Sequence, residues 1–494
     1  MDIKDLFLSC RRGDLNRVQY LVEEKEVDLT VRDKWDSSPL YYACLCGHID
    51  IVRYLLEKGA KCELKTFDGE RCVYGALNDE IRMLLKNYKA VTSSIIRRDQ
   101  YNEFLRRMLE AGCYKDISFI VHDQSFSVHR CVLAARCRYF ADLFVSKWED
   151  RSEIKLKNKL ITPHAFKALL QFLYTARLNV HLDHVDDVLL LAKHCKMTNL
   201  THQIEEKKTE VESFEQSKPG VTVNVLCLEP STDSSELNDD LGVLADQAFP
   251  HELCQEFESV YTSDGQSKLL WFQTRTALPF PPEEVPSFPD VIFSVEGHQF
   301  NCHKVFFTGR SDYFKALLDD HFGESSTDEE HNLPVITLHE TTSAIFVQVM
   351  YYIYQDSCEL NRNNVVDILS VADMFLLPGL KRRCANALSQ WIDVDNIITI
   401  LRTARLFDLA RLEDQCAEFI ASNLERVIDN NEFTTFVRED ANAVKERQET
   451  DSIPIVDDIR YHITNFVQTF SDMYEADQKL AVIDSFLEEL GLEA

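Results

Sequence analysis

The chain has 494 residues, room for three or four domains, and carries 82 acidic against 53 basic side chains for a formal charge of −29. Such a surface repels a polyanion, so nucleic acid is not an expected partner; the doublets Arg97-Arg98, Arg106-Arg107 and Lys207-Lys208 are too short to reverse that. The most apolar stretch, residues 344–354, is interrupted by Gln348 and cannot span a bilayer, and no apolar leader follows Met1, so a chain without membrane contact is expected, its fifteen cysteines reduced in the cytoplasm or also the nucleus.

The first ninety residues have a period of their own. Leu6, Cys10, Gly13 and Val18 return 34 residues later as Leu40, Cys44, Gly47 and Val52, and a fainter third copy sets Val73 on Leu40 and Ala76 on Ala43. Stacked helix pairs account for these residues: Pro39 fits a first helical turn, small Ala43 lets paired helices approach, Gly47 permits the turn between them and Gly59 ends the second helix. The strings S-P-L-x-x-A, G-H-x-x-I-V and L-L-x-x-G-A resemble ankyrin repeats, which assigns residues 1–90 to a short ankyrin solenoid. So few repeats bury little core, and the array is expected to lean on the helix over about 93–111. Under this resemblance Trp35 lies at a hairpin tip, either reading a client protein or packing on the next hairpin.

Two later passages are one passage written twice. Residues 116–144 and 290–318 align without a gap, Asp116 falling on Asp290, His129 on His303, Arg136 on Arg310 and Phe140 on Phe314. Each begins with an alternating strand (Ile117, Phe119, Val121; Val291, Phe293, Val295), turns, runs into a second strand and continues as short helices. Downstream the match resumes at a slightly larger offset, as Phe166/Phe346 and Tyr174/Tyr354, because the second copy has a longer loop, residues 323–332. The pattern D-[VI]-x-[FL]-x-V, F-x-x-H-[KR] and Y-F resembles the BTB/POZ domain over residues 101–204 and 288–388.

The fold class expected is therefore multidomain, mainly α with α+β modules. It reads as ankyrin repeats (1–90), a first BTB/POZ domain with its preceding helix (91–204), an insert (205–287), a second BTB/POZ domain (288–388), and a helical region resembling the BACK region (389–494), where Asp395 is the expected N-cap. In the insert, residues 221–228 alternate like a strand, 229–240 are acidic and expected to be flexible, and 241–257 could be helical. The proline-rich run before Asp290 cannot be a helix, so the two copies are expected to self-associate unequally.

Chemistry is sparse. Fourteen glycines, with no phosphate-binding glycine motif, leave no nucleotide loop. Cys44, Cys46 and His48 already have repeat roles, and Gln255 stands where a second zinc histidine after His251-Glu252 would be needed. Cys131 and Cys302 each match a valine in the other copy, the mark of a buried apolar position rather than a nucleophile. No catalytic, cofactor-binding or metal residues are expected, and His129 and His303 read as structural.

The order of domains resembles the ankyrin repeat and BTB/POZ domain-containing proteins, which implies a non-enzymatic interaction protein and suggests a substrate-recruiting adaptor of a cullin-3 RING ubiquitin ligase. BTB proteins that bind cullin-3 carry a bulky apolar residue two before an acid; Phe322 and Glu324 match in the second copy, Trp148 and Asp150 in the first. The alternative for each is an aromatic packed in its own domain. For the whole chain the alternative is a scaffold or growth/signalling regulator that uses BTB–BTB pairing and binds no cullin. That pairing is expected within the chain, through the effective concentration set by the tether, or as a homodimer.

Overall fold

The computed structural model describes residues 2–23, 25, 27, 29, 31, 33, 37–58, 60, 72–87, 100–158, 160–217, 225–228, 236–250, 285–319, 326–327, 333–443, 452–465 and 470–492. They fall into two compact units, Met1–Glu340 with Met350–Ser357, and Thr341–Val349 with Cys358–Ala494.

The first unit opens with helices α1 (Asp2–Arg12), α2 (Leu15–Glu23), α3 (Pro39–Cys46), α4 (Ile49–Glu57) and α5 (Asp79–Asn87). The residues that repeat every 34 positions are its core: Leu6, Cys10, Val18, Leu40, Ala43, Cys44 and Val52 are buried. Ser38 caps α3, its Oγ accepting the Tyr41 N–H at 3.2 Å with Pro39 in the first turn, where a missing N–H costs nothing. Gly13 and Gly47 both turn through positive φ (+84° and +82°); a Cβ on Gly13 would lie 2.7 Å from the His48 ring, whose Nε2 meets the Arg11 carbonyl oxygen at 2.9 Å. Trp35 and Gly59 lie outside the described residues.

The first repeated domain runs α6 (Gln100–Ala111), β1 (Ile117–Val121), β2 (Gln124–Val128), α7 (Arg130–Arg136), α8 (Arg138–Phe144), β3 (Glu153–Leu156), α9 (Pro163–Thr175), β4 (Leu178–His181), α10 (Val185–His194) and α11 (Thr198–Ser217). β1 and β2 form the expected hairpin, with Phe119 opposite Phe126, and β3 joins β1 in parallel, giving the order β2-β1-β3. The insert is more ordered than its composition suggests. β5 (Val225–Leu228) pairs antiparallel with β4, and α12 (Glu236–Ala248) starts inside the acidic stretch expected to be flexible. The correction has a simple cause: Leu237, Leu241, Leu244 and Ala248 give that stretch one apolar helical face, and all four are buried.

The second copy repeats the plan with β6 (Val291–Val295), β7 (His298–Cys302), α13 (Lys304–Arg310), α14 (Asp312–Asp319), β8 (Ser326–Thr327) and β9 (Pro334–Leu338). Ile292 opposite Val335 reproduces Ser118 opposite Glu153, so the parallel registers coincide. Its sheet has a fourth strand, in the order β7-β6-β9-β8, because β8 lies antiparallel on the outer edge of β9. α15 (Ser343–Gln355) follows.

The second unit continues with α16 (Val365–Met374), α17 (Pro378–Gln390), α18 (Ile397–Leu406), α19 (Ala410–Ser422), α20 (Leu424–Val427), α21 (Asn431–Ala443), α22 (Pro454–Asn465) and α23 (Phe470–Leu490). It holds a repeat of its own: Leu369, Ala372, Phe375, Leu377, Leu380 and Cys384 return 32 residues later as Leu401, Ala404, Phe407, Leu409, Leu412 and Cys416. The turns match too. Asn364 Nδ2 donates to the Glu359 carbonyl at 3.0 Å and Asn396 Nδ2 to that of Trp391 at 2.7 Å, while Leu376 and Asp408 share a positive φ of 50° and 51°. Asp395 is not the N-cap expected of it: Asn396 holds that position, and the carboxylate organising the turn is Asp393, which accepts the N–H groups of Asp395 (3.1 Å) and Asn396 (2.9 Å). Arg405 ties four helices together, bonding Glu413 (2.7 Å) and Asp440 (3.0 Å), whose other neighbour is the Ile455 N–H (3.0 Å).

Candidate interaction surfaces

The histidines shared by the two copies sit in identical pockets. His129 Nε2 lies 2.8 Å from the Cys113 carbonyl, which can only accept, so Nε2 carries the proton and Nδ1 accepts from the Tyr174 hydroxyl at 2.8 Å; the same hydroxyl oxygen accepts the His129 N–H at 2.9 Å. His303 repeats this with Ser287 and Tyr354. Burial holds both imidazoles neutral, down to about 4. Asp116 and Asp290 receive the first N–H of the next helix, from Arg130 (2.8 Å) and Lys304 (2.7 Å), and burial raises Asp290 to about 6. Cys131 and Cys302 are buried, which pushes both thiols up and away from the thiolate a nucleophile requires. The matched residues thus lock each hairpin onto its helices.

The segments outside the matched passages join the copies. α6, which precedes the first copy, lays its buried face (Tyr101, Phe104, Leu105, Met108) on the domain pair: Phe104 meets Phe306 at 6.0 Å, and Gly309 admits it, since a Cβ there would stand 2.3 Å from Phe104 Cε2. The Arg310 guanidinium lies 4.9 Å from the Tyr101 ring centre and 4.2 Å from that of Tyr352, and the Tyr101 hydroxyl donates to the Tyr354 carbonyl. That helix was expected to brace the repeat array; among the described residues its apolar face packs chiefly on α9 and α13.

α12 is its counterpart on the other side. Asp240 is paired with Arg136, both nearly inaccessible, and Asp246 accepts the Tyr351 hydroxyl at 2.5 Å. Burial lifts Asp240 to about 6 even though Arg136 opposes it. Spaced 136 residues apart, Tyr101, Phe104, Leu105 and Met108 match Leu237, Asp240, Leu241 and Leu244, all buried. The second copy therefore has a leading helix after all, set ahead of the proline-rich run. Arg136 and Arg310, matched in the two copies, each meet one of these helices, Arg136 by charge and Arg310 by ring stacking.

Of the expected contact residues, Trp148 is 7% exposed and packs on Phe119, Phe140 and Phe144, with ring centres 5.6 to 6.4 Å apart, which is the alternative placement expected for it. An aromatic two residues before an acid fits a core as well as a surface, and here the core takes it. Asp150 beside it is exposed. Phe322, Glu324 and Trp35 lie outside the described residues. Nothing in the sequence reading pointed to Asp240; the signal available was the apolar spacing around it.

Comparison with known proteins agrees with this architecture. The BTB/POZ domain model matches residues 105–211 and 282–392, and a model of three ankyrin repeats matches residues 5–66. BTB/POZ domain-containing protein 3 of Schizosaccharomyces pombe is 30% identical to the chain across 99% of its length and 90% of the relative's. The chain belongs to the ankyrin repeat and BTB/POZ domain-containing proteins. An ankyrin repeat-containing protein of Saccharomyces cerevisiae is 27% identical over 94% of this chain and 89% of its own. The human inhibitor of Bruton tyrosine kinase is 23% identical over 67% of this chain but only 26% of that protein. In this ankyrin–BTB/POZ chain, α6 begins just ahead of the first matched module and α12 lies between the two, and each packs on both protein-interaction modules.

Proposed function

We propose that this protein is a substrate-recruiting adaptor of a cullin-3 RING ubiquitin ligase, with its BTB/POZ copies mated inside one chain. BTB/POZ and ankyrin domains are interaction modules, typically non-enzymatic, which fits a chain whose matched histidines, and Cys131 and Cys302 beside them, are buried and held neutral. The observation that carries the pairing is α12, which gives Asp240 to the first copy and Asp246 to the second, so that the face each copy would offer a second chain is filled from within. With Trp148 buried, the docking role falls to Phe322 and Glu324, and the repeat array or the C-terminal helices hold the client.

A pull-down with the purified cullin-3 N-terminal domain tests this. The full chain should be captured, and Phe322→Ala with Glu324→Lys should abolish capture. The second reading, a scaffold without a cullin, gains if the intact protein is never captured. Light scattering should give a monomer; a dimer dispersed by Phe104→Ala would show that the copies mate between chains.

A further inference from the structure

The two sheets differ at one edge. In the second copy β8 covers the outer edge of β9, pairing Ser326 with Val335. In the first copy β3 is the last strand of its sheet, and among the described residues nothing pairs with its outer side. The registers identify the matching positions, Glu153 standing where Val335 stands. In a parallel ladder alternate residues of a strand bond inward, and the Ser118 N–H donates to the Ser152 carbonyl at 2.8 Å, so Ser152, Ile154 and Leu156 face β1. The main-chain groups of Glu153 and Lys155 point outward.

We propose that the edge of β3 binds an extended acidic segment by strand addition, as β8 lies on β9 in the duplicate domain. Main-chain hydrogen bonds from Glu153 and Lys155 supply affinity, and charge supplies selection. Lys155 is 65% exposed and lies 3.4 Å from the Glu153 carboxylate, Lys157 is exposed as well, and β8 belongs to the run GESSTDEEHN, residues 323–332, an acidic sequence with small hydroxylated residues at the pairing positions. Two exposed lysines against one exposed glutamate leave this edge net positive, which favours the acidic peptide as occupant, and lysines on an edge discourage pairing with another copy of the same strand. The site is independent of cullin binding.

The probe is a fluorescent peptide of sequence GESSTDEEHN titrated into the full-length protein and read by anisotropy. Saturable binding is expected, weakened about tenfold by Lys155→Pro, which removes one outward N–H from an edge strand that tolerates proline. Thr337→Pro, the matching change on β9, should leave it unaltered. Lys155→Glu with Lys157→Glu keeps every backbone group and should weaken binding similarly, as should N-methylation of the peptide at its pairing amides. The proposal is overturned by no saturation, by equal loss with Thr337→Pro, by equal binding of a lysine-substituted peptide, or by light scattering that shows dimers dispersed by Lys155→Pro, which would give the edge to a second copy of this chain.

Discussion

The two BTB/POZ copies share registers, histidine pockets and helix starts, yet their sheets end in opposite ways. The first takes a strand from the insert onto β4 and, among the described residues, leaves β3 open; the second covers β9 with its own loop, while its counterpart of β4, residues 358–361, forms no strand. One substitution goes with this exchange. Ala168 of the first copy is matched by Gln348 of the second, whose Oε1 accepts the Glu359 N–H at 2.8 Å and occupies the edge with a side chain. Duplication kept the core and divided the edges, and the edges are where a sheet protein meets its partners.

Breaking the Arg136–Asp240 pair should cost most. Arg136→Ala leaves a carboxylate buried alone, and urea denaturation should show a loss of about 3–5 kcal/mol, largely recovered when Asp240→Leu is added to Arg136→Met. Phe104→Ala attacks the matching contact of the other copy and should cost about 3 kcal/mol by the same measurement; if the two losses differ greatly, the clasps are not equivalent.

Acid gives a smaller, signed effect. His129 and His303, at about 4 when folded and 6.5 ordinarily, take up protons only on unfolding between those values, so the stability they confer is complete above pH 6.5 and is lost as pH falls toward 4. Asp240 and Asp290, raised from 3.8 to about 6, act oppositely: their contribution is full below 3.8 and is lost as pH rises through 6. Comparing urea midpoints of the parent with His303→Asn across this range isolates the imidazole, and the parent's advantage should shrink on acidification. Smallest of all, Gln348→Ala should cost about 1 kcal/mol for the lost hydrogen bond to Glu359. Hydrogen exchange at Glu359 should rise in that variant, and an unchanged rate would show that the side chain is not what guards this edge.

Repetition made the domains readable. Strand alternation and the shared His129/His303 placed both hairpins, and the 34-residue period placed the core of the array. What escaped was of two kinds. The 32-residue repeat of α16–α19 was present as Cys384/Cys416 and Leu380/Leu412 but lay in a region read only for helical spacing. Asp240 was hidden differently, because an aspartate among acids reads as solvated until Arg136, 104 residues earlier in the chain, is known to face it. Long-range pairing of charges leaves no local pattern. The burial of Trp148 was not legible either, because a motif of an aromatic and an acid says nothing about which way the ring turns.

The position of α12 along the chain has a temporal consequence. The strand and helix that complete the first domain are synthesised before Val291, so a growing polypeptide can finish that domain while the second is still inside the ribosome. Because α6 packs on α9 of the first domain, Phe104 can be in place when α13 emerges, and the second domain then has a finished template to dock onto in place of a partner in solution.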